Sequence, residues 1–309
     1  MRLLMLAGIL LFAQPQSLSG TLTITYHDHT IAKIHRSHFT YPFASLLDQE
    51  KYQLLINQLD RKVYQAPVDA RINGQGAIVS GKTGHKLYRS VFQNKFYSYY
   101  FGQGTGKLRA PLIKVYPRVD AELLSQIRDQ RIGQYVTFFN SGNKSRAHNI
   151  DLAAKALDSQ VVFPNETFSF NKAVGMRTKK KGYLSAPIIV RGEFSEGVGG
   201  GICQVSSTLF NAVDRAGLKI VERYSHSRRV PYVPEGRDAT VSWYGPDFRF
   251  QNTSNQPILI RAHKYGGSIS FALYSSDMIN VAPRKVPNAS THLPKEIKQE
   301  NEVQHSSKP

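Results

Sequence analysis

The sequence predicts an α+β fold in two successive units. Segments that alternate apolar and polar residues recur beside segments with helical spacing, without the regular strand–helix alternation of a parallel α/β sheet. Hydrophobic residues make up 41% of the 309, a globular composition, and the length allows two hydrophobic cores of ordinary size.

In chain order, TLTITY (21–26) alternates and predicts a strand. Residues 48–63 place Tyr52, Leu55, Ile56, Leu59 and Val63 on one helical face. VDARINGQGAIVSG predicts a β-hairpin turning at Asn73-Gly74-Gln75-Gly76. KFYSYYFG (95–102) and PLIKVYP (111–117) predict strands, and DAELLSQIRDQ (120–130) a helix. A second unit starts near QYVTFF (134–139); Ser145 is the expected cap of a helix carrying Ile150, Ala154 and Leu157 on one face. Strands are expected at VVF (161–163), APIIV (186–190), KIVERY (219–224), ATVSWY (239–244) and FRFQ (248–251). A closing hairpin spans 257–275 with Gly266-Gly267 at its turn.

The two ends depart from this pattern. Arg2, an apolar run from Leu3 to Ala13 and a small, polar stretch ending at Gly20 have the layout of a cleaved secretory signal, too short to span a bilayer. From about residue 283 the chain turns rich in Pro, Lys, Ser and Glu, which predicts a disordered basic tail over 283–309. The expected layout is therefore a signal peptide (1–20), an N-terminal unit (21–130), a second unit (131–282) and the tail, with no transmembrane span in the mature chain. A net charge of +18 on an exported protein points to anionic extracellular polymers rather than to nucleic acid.

GVGGGICQVSSTLFNAVDRAGL (197–218) holds the only cysteine, Cys203. Ile202, Val205, Leu209, Ala212, Val213 and Ala216 form a helical stripe, and Gly217 sits where such a helix ends. Cys203 then lies in the first turn, where unpaired N–H groups and the helix dipole favour a thiolate. The N–H groups of Ile202, Cys203 and Gln204 could also receive an oxyanion. Gly199, Gly200 and Gly201 leave room for a substrate backbone, having no Cβ. Ser206 and Ser207 are rival nucleophiles, but deeper in a helix their hydroxyls bond back to carbonyls. A cysteine nucleophile needs a base and a group that orients it. His226 opens a loop after an expected strand, and Asp238, or alternatively Glu235, could hold its ring.

Other motifs carry less. His27 and His29 are spaced to face one side of a strand, with His35 and His38 near, yet surface strand histidines are the ordinary reading and no metal is assigned. GQGTGK (102–107) lacks P-loop spacing and has Leu108 in place of Ser or Thr. RTKKKG (177–182) reads as a solvated loop that could receive carboxylates or phosphates.

GGGICQVSSTLFNA, ERYSHSRRVPYVPEGRDATV and DFRFQN resemble the core signature of the VanW domain family. NIDLAAKALDSQVVFPNETFSFN and VGMRTKKKGY extend the likeness, with Pro-Asn-Glu where that family usually has Pro-Gly-Glu. Residues 50–125 more faintly resemble the peptidoglycan-binding domain that often precedes VanW domains. The resemblance implies a wall-facing protein and, as in some VanW-domain proteins, L,D-transpeptidase chemistry with Cys203 as nucleophile. Peptidoglycan stem peptides would be the substrate, Arg177, Arg228 or Arg237 would bind their carboxylates, and no metal or organic cofactor is needed. The rival expectation is a non-catalytic wall-binding protein with an inert Cys203.

Overall fold

The computed structural model describes residues 20–41, 46–190 and 193–293, so most of the expected signal peptide and the end of the expected tail lie outside the described residues. Helices and small sheets are mixed, as an α+β fold requires.

The chain divides into two compact units. In the first, β1 (Thr21–Tyr26) pairs antiparallel with β2 (His29–His35). His27 and Asp28, at φ +46° and +63°, form the turn between them, so His27 does not share a strand face with His29 as expected. Asp48 caps α1 (Gln49–Val63) by accepting from the Lys51 N–H, and the five predicted apolar residues are all buried.

β3 (Arg71–Ile72) and β4 (Ile78–Val79) make the predicted hairpin. β5 (Gly84–Leu87) leads to α2 (Arg89–Phe101). KFYSYYF is thus helical rather than extended: the helix starts six residues before that run, and Phe92, Phe96 and Tyr100, four apart, line its buried face. β6 (Gly106–Arg109) joins β1, and β7 (Leu112–Val115) pairs with β5.

The second unit comprises residues 70–80 and the chain from Val119 onward. The hairpin β3–β4 and α3 (Ala121–Ile127) therefore pack with the later part of the chain, although local sequence grouped both with the N-terminal unit. β8 (Gln130–Phe138) is followed by α4 (Lys144–Leu157), whose cap is Asn143 rather than Ser145; its side chain accepts from the Arg146 N–H. β9 (Val161–Val162), β10 (Thr167–Ser169), α5 (Phe170–Val174), β11 (Ser185–Val190) and β12 (Glu193–Val198) lead to α6 (Ile202–Arg215). β13 (Lys219–Glu222), β14 (Arg249–Gln251), β15 (Ile258–Tyr265) and β16 (Ser268–Ser275) complete the unit.

The main sheet has the order β8-β16-β15-β9. Along β15, alternation sends Ile258, Ile260 and Ala262 into the large core with α4 and α6, while Leu259 joins α3 and the β3–β4 hairpin on the other face. ATVSWY forms no strand. Its backbone bonds elsewhere: Ala239 N–H donates to Ser207 Oγ at 2.8 Å and Thr240 N–H to the Tyr224 carbonyl at 2.7 Å. Residues 283–293 carry no helix or strand but are tied down. Arg284 donates to Asp214 at 2.7 Å, and Val286 and Ala289 lie on the large core.

Candidate functional site

A turn of glycines leads directly into α6. Gly199 and Gly201 have φ of +91° and +104°, conformations that side chains resist, and Gly201 is the helix cap. Apolar spacing buries Ile202, Val205, Leu209, Ala212 and Val213 under the sheet, and Gly217 follows the helix at φ +80°. This rotation puts Cys203 in the first turn, half-buried, with its thiol donating to the Val241 carbonyl at 3.6 Å. Ser206 and Ser207 are fully buried and both donate to the Cys203 carbonyl, at 3.1 and 2.6 Å. As the helical position requires, they are hydrogen-bonded into the helix.

The loop after β13 brings His226 to the sulfur, and the loop before β14 supplies Asp238 behind it. Asp238 Oδ2 accepts from His226 twice, from the backbone N–H at 2.6 Å and from ring Nδ1 at 2.6 Å. The two side chains are 7% and 9% exposed, so the pair is shielded from water. With Nδ1–H committed to the carboxylate, Nε2 is left for the thiol, the ring's other hydrogen-bond partner. Glu235, the alternative orienting group, is exposed to solvent.

Charges follow from this geometry. Burial pushes the Cys203 thiol up, but the hydrogen bond and charge of His226 and the charge of Arg177 bring it below its ordinary value. Burial pushes His226 down, and its hydrogen bonds to Asp238 and Cys203 outweigh that, raising it to about 9. Asp238 is raised by burial and lowered further by the His226 hydrogen bonds, so it stays an anion. The arrangement can hold a thiolate beside an imidazolium, with a carboxylate fixing the ring.

Of the three N–H groups expected to receive an oxyanion, two are engaged. Ile202 donates to the Gly199 carbonyl at 3.3 Å and Gln204 to that of Gly201 at 3.1 Å, both within the tight turn. The N–H of Cys203 makes no hydrogen bond among the described residues.

Residues 145–274 match the family described as VanW like protein. Over 299 residues the chain is 61% identical to the uncharacterized protein YoaR of Bacillus subtilis (strain 168), covering 96% of this chain and 99% of that one. The chain belongs to the VanW-like family. It is also 32% identical over 119 residues to the vancomycin B-type resistance protein VanW of Enterococcus faecalis (strain ATCC 700802 / V583), covering 36% of this chain and 42% of that one. No solved structure matches.

Cys203, His226 and Asp238 all lie inside the VanW-like segment, and so do the other expected site residues. The three glycines are buried, and protein fills the space beside them. A Cβ on Gly200 would stand 2.6 Å from the Ala186 carbonyl oxygen, and one on Gly201 would stand 3.0 Å from Ile150. They let the turn pack against β11 and α4, and give no open floor for a substrate. Arg237 is also structural: it donates to Asn211 at 2.8 Å and Asp214 at 2.7 Å and lies over the Phe210 ring, fastening its loop to α6. Arg228 is exposed, two residues beyond His226. Arg177 is the arginine that faces the sulfur electrostatically, and burial lowers its pKa against the opposing influence of Cys203, Tyr183 and Asp247.

Several supporting residues escaped sequence reasoning. Asn149 on α4 is fully buried; its amide donates to the Leu184 and Gly200 carbonyls at 2.9 and 3.0 Å and its oxygen accepts from the Leu184 N–H at 2.8 Å. The Gln204 side chain donates to Thr137 and Phe138 on β8 and accepts from Arg146 at 2.8 Å. Tyr232 is buried close enough to Cys203 that burial and then the sulfur's charge raise its pKa. No local pattern marks Asn149, because a polar residue beside the apolar stripe of a helix, as it stands beside Ile150, is ordinarily solvated. Among the described residues no helix is long and apolar enough to cross a membrane, and no three His, Cys, Asp or Glu side chains group as metal ligands.

Proposed function

We propose that the protein is an exported, wall-facing acyl-transfer enzyme, a cysteine L,D-transpeptidase acting on peptidoglycan stem peptides. The observation that carries this reading is the Cys203–His226–Asp238 array at the start of α6, with its lowered thiol and raised imidazole. The family supports the choice of substrate, since one VanW relative bears the name of a vancomycin resistance protein. The net charge of +18 suits contact with anionic wall polymers.

In the proposed reaction the Cys203 thiolate attacks the carbonyl of the third stem residue, forming a C–S bond. The Cys203 N–H receives the developing oxyanion. His226 passes its proton to the leaving amine as the C–N bond breaks, and the terminal residue departs. His226 then takes a proton from the incoming amine of a neighbouring stem, which displaces the sulfur and forms a 3-3 cross-link. With water as acceptor the same steps give a carboxypeptidase. Asp238 keeps Nδ1 protonated and the ring in place throughout.

The charge also favours a second reading, a non-catalytic protein that binds wall polymers. Incubation of the purified protein with disaccharide-tetrapeptide, followed by mass spectrometry, separates the two. The enzyme yields a cross-linked dimer or the released terminal amino acid, and Cys203→Ala abolishes both. Folded protein that yields neither product, yet sediments with purified walls, supports the binder.

A further inference from the structure

Arg177 is built into the site in a way that the transfer reaction above does not use. Its Cβ lies against the glycine turn, 3.1 Å from where a Gly199 Cβ would stand. Its Nη1 donates to Asn171 Oδ1 at 2.8 Å and to the Gly175 carbonyl at 3.2 Å. Asn171 in turn donates to the carbonyls of Ser242 and Pro246, at 2.8 and 3.0 Å, and Ser242 follows Val241, whose carbonyl accepts from Cys203. One chain of contacts therefore fixes the guanidinium and the sulfur to the same loop.

Both of these bonds use a single nitrogen. Among the described residues Nε and Nη2 make no hydrogen bond or ion pair, and neither is sealed from solvent. That edge is the fork with which arginine grips a carboxylate through two parallel hydrogen bonds. The carboxylate whose charge reaches it is engaged elsewhere: Asp247 accepts from Ser169 Oγ at 2.5 Å and from the N–H groups of Asn171 and Phe248. A half-buried cation beside a nucleophile, pinned on one edge and open on the other, has the form of a recognition group.

We infer that Arg177 binds the free α-carboxylate of the acyl donor's last residue, making the site specific for the C-terminal peptide bond. The inference rests on the acyl-transfer reading. That carboxylate lies three bonds from the carbonyl under attack, so a cation that reads it has to stand next to the sulfur. The fork holds the carboxylate while the C–N bond breaks and the terminal residue leaves as a free amino acid, carrying the proton from His226. An amidated or extended donor has no charge to offer the fork.

Two alkylating reagents test this without turnover, because iodoacetate carries a carboxylate and iodoacetamide does not. On the full-length protein, the iodoacetate-to-iodoacetamide rate ratio at Cys203 should exceed that of a free thiol by about tenfold or more. Arg177→Gln should remove most of that excess and Arg177→Lys should keep part of it. The ratio cancels any general loss of thiolate, and the overall positive field barely changes with one charge. In wild-type protein, where folding is not in question, N-acetyl-D-alanine should protect Cys203 from iodoacetamide while its amide does not. A reactive thiol with an unchanged ratio in Arg177→Gln, or equal protection by acid and amide, overturns the assignment and leaves the acyl-transfer reading standing. A thiol inert to both reagents overturns both.

Discussion

At the scale of single residues, the burial that works against a thiolate also protects the pair that makes one. Cys203 is lowered chiefly by His226, and His226 is raised to about 9 by Asp238 and by the sulfur. Between the two values thiolate and imidazolium coexist. The sign of the pH dependence follows. Alkylation of Cys203 should rise with pH through the lowered thiol value, below the ordinary 9.0, and stay high above it. Turnover should share that acid limb but fall again near pH 9, where His226 loses the proton that the leaving amine needs. His226→Ala should move the alkylation limb up toward that of a free thiol; iodoacetamide rates from pH 5 to 10 measure both variants. Asp238→Asn should cut kcat/KM by about 10²–10⁴-fold, as loss of general acid–base catalysis does, while Cys203 stays alkylatable at high pH.

At the scale of elements, the site depends on how closely the glycine turn approaches its neighbours. A methyl on Gly200 would stand 2.6 Å from a backbone oxygen of β11, which cannot swing away as a side-chain end would. Gly200→Ala should therefore destabilise by about 1–3 kcal/mol through overpacking. Asn149→Ala leaves the buried Gly200 carbonyl without its partner, at about 1–3 kcal/mol, and also removes the part-buried bond to the Leu184 N–H. Thermal melts check both, at about 2–4 °C per kcal/mol for a domain of this size. α6 was legible in the sequence because its apolar stripe is uninterrupted and bounded by glycines. α2 was not, because a window opening at Lys95 hides the four-residue spacing that begins at Phe92. The Ala239–Tyr244 segment alternates like a strand, but its N–H partner at Ala239 is a serine of α6, which no local pattern reveals. The same limit hid Asn149, since a polar residue on a helix is ordinarily solvated.

At the scale of the molecule, the two units were legible but their border was not, because it is set by pairing across the chain. Ala70 N–H donates to the Val119 carbonyl at 2.8 Å, and Ile72 N–H to Ser159 Oγ at 3.0 Å, so the β3–β4 hairpin belongs with segments far downstream in the chain. Together with α3 it covers Leu259, on the face of the main sheet opposite the candidate site. A fragment that starts at residue 131 removes that cover and exposes one side of β15 to water. Arg71 pairs with Val79, which sets Ser80 beside Ala70, and Val119 bonds to Ala70 as well. The ends left by removing residues 81–118 therefore lie about two strand spacings apart, roughly 10 Å, which a linker of about five Gly/Ser residues spans. The joined chain of 70–80 and 119–293 should be soluble and melt cooperatively, with Cys203 as reactive toward iodoacetamide as in the full protein. The fragment from 131 should aggregate or melt several degrees lower. Equal melting of the two would mean that the hairpin and α3 are accessory to the unit and that the border expected near residue 131 is the physical one.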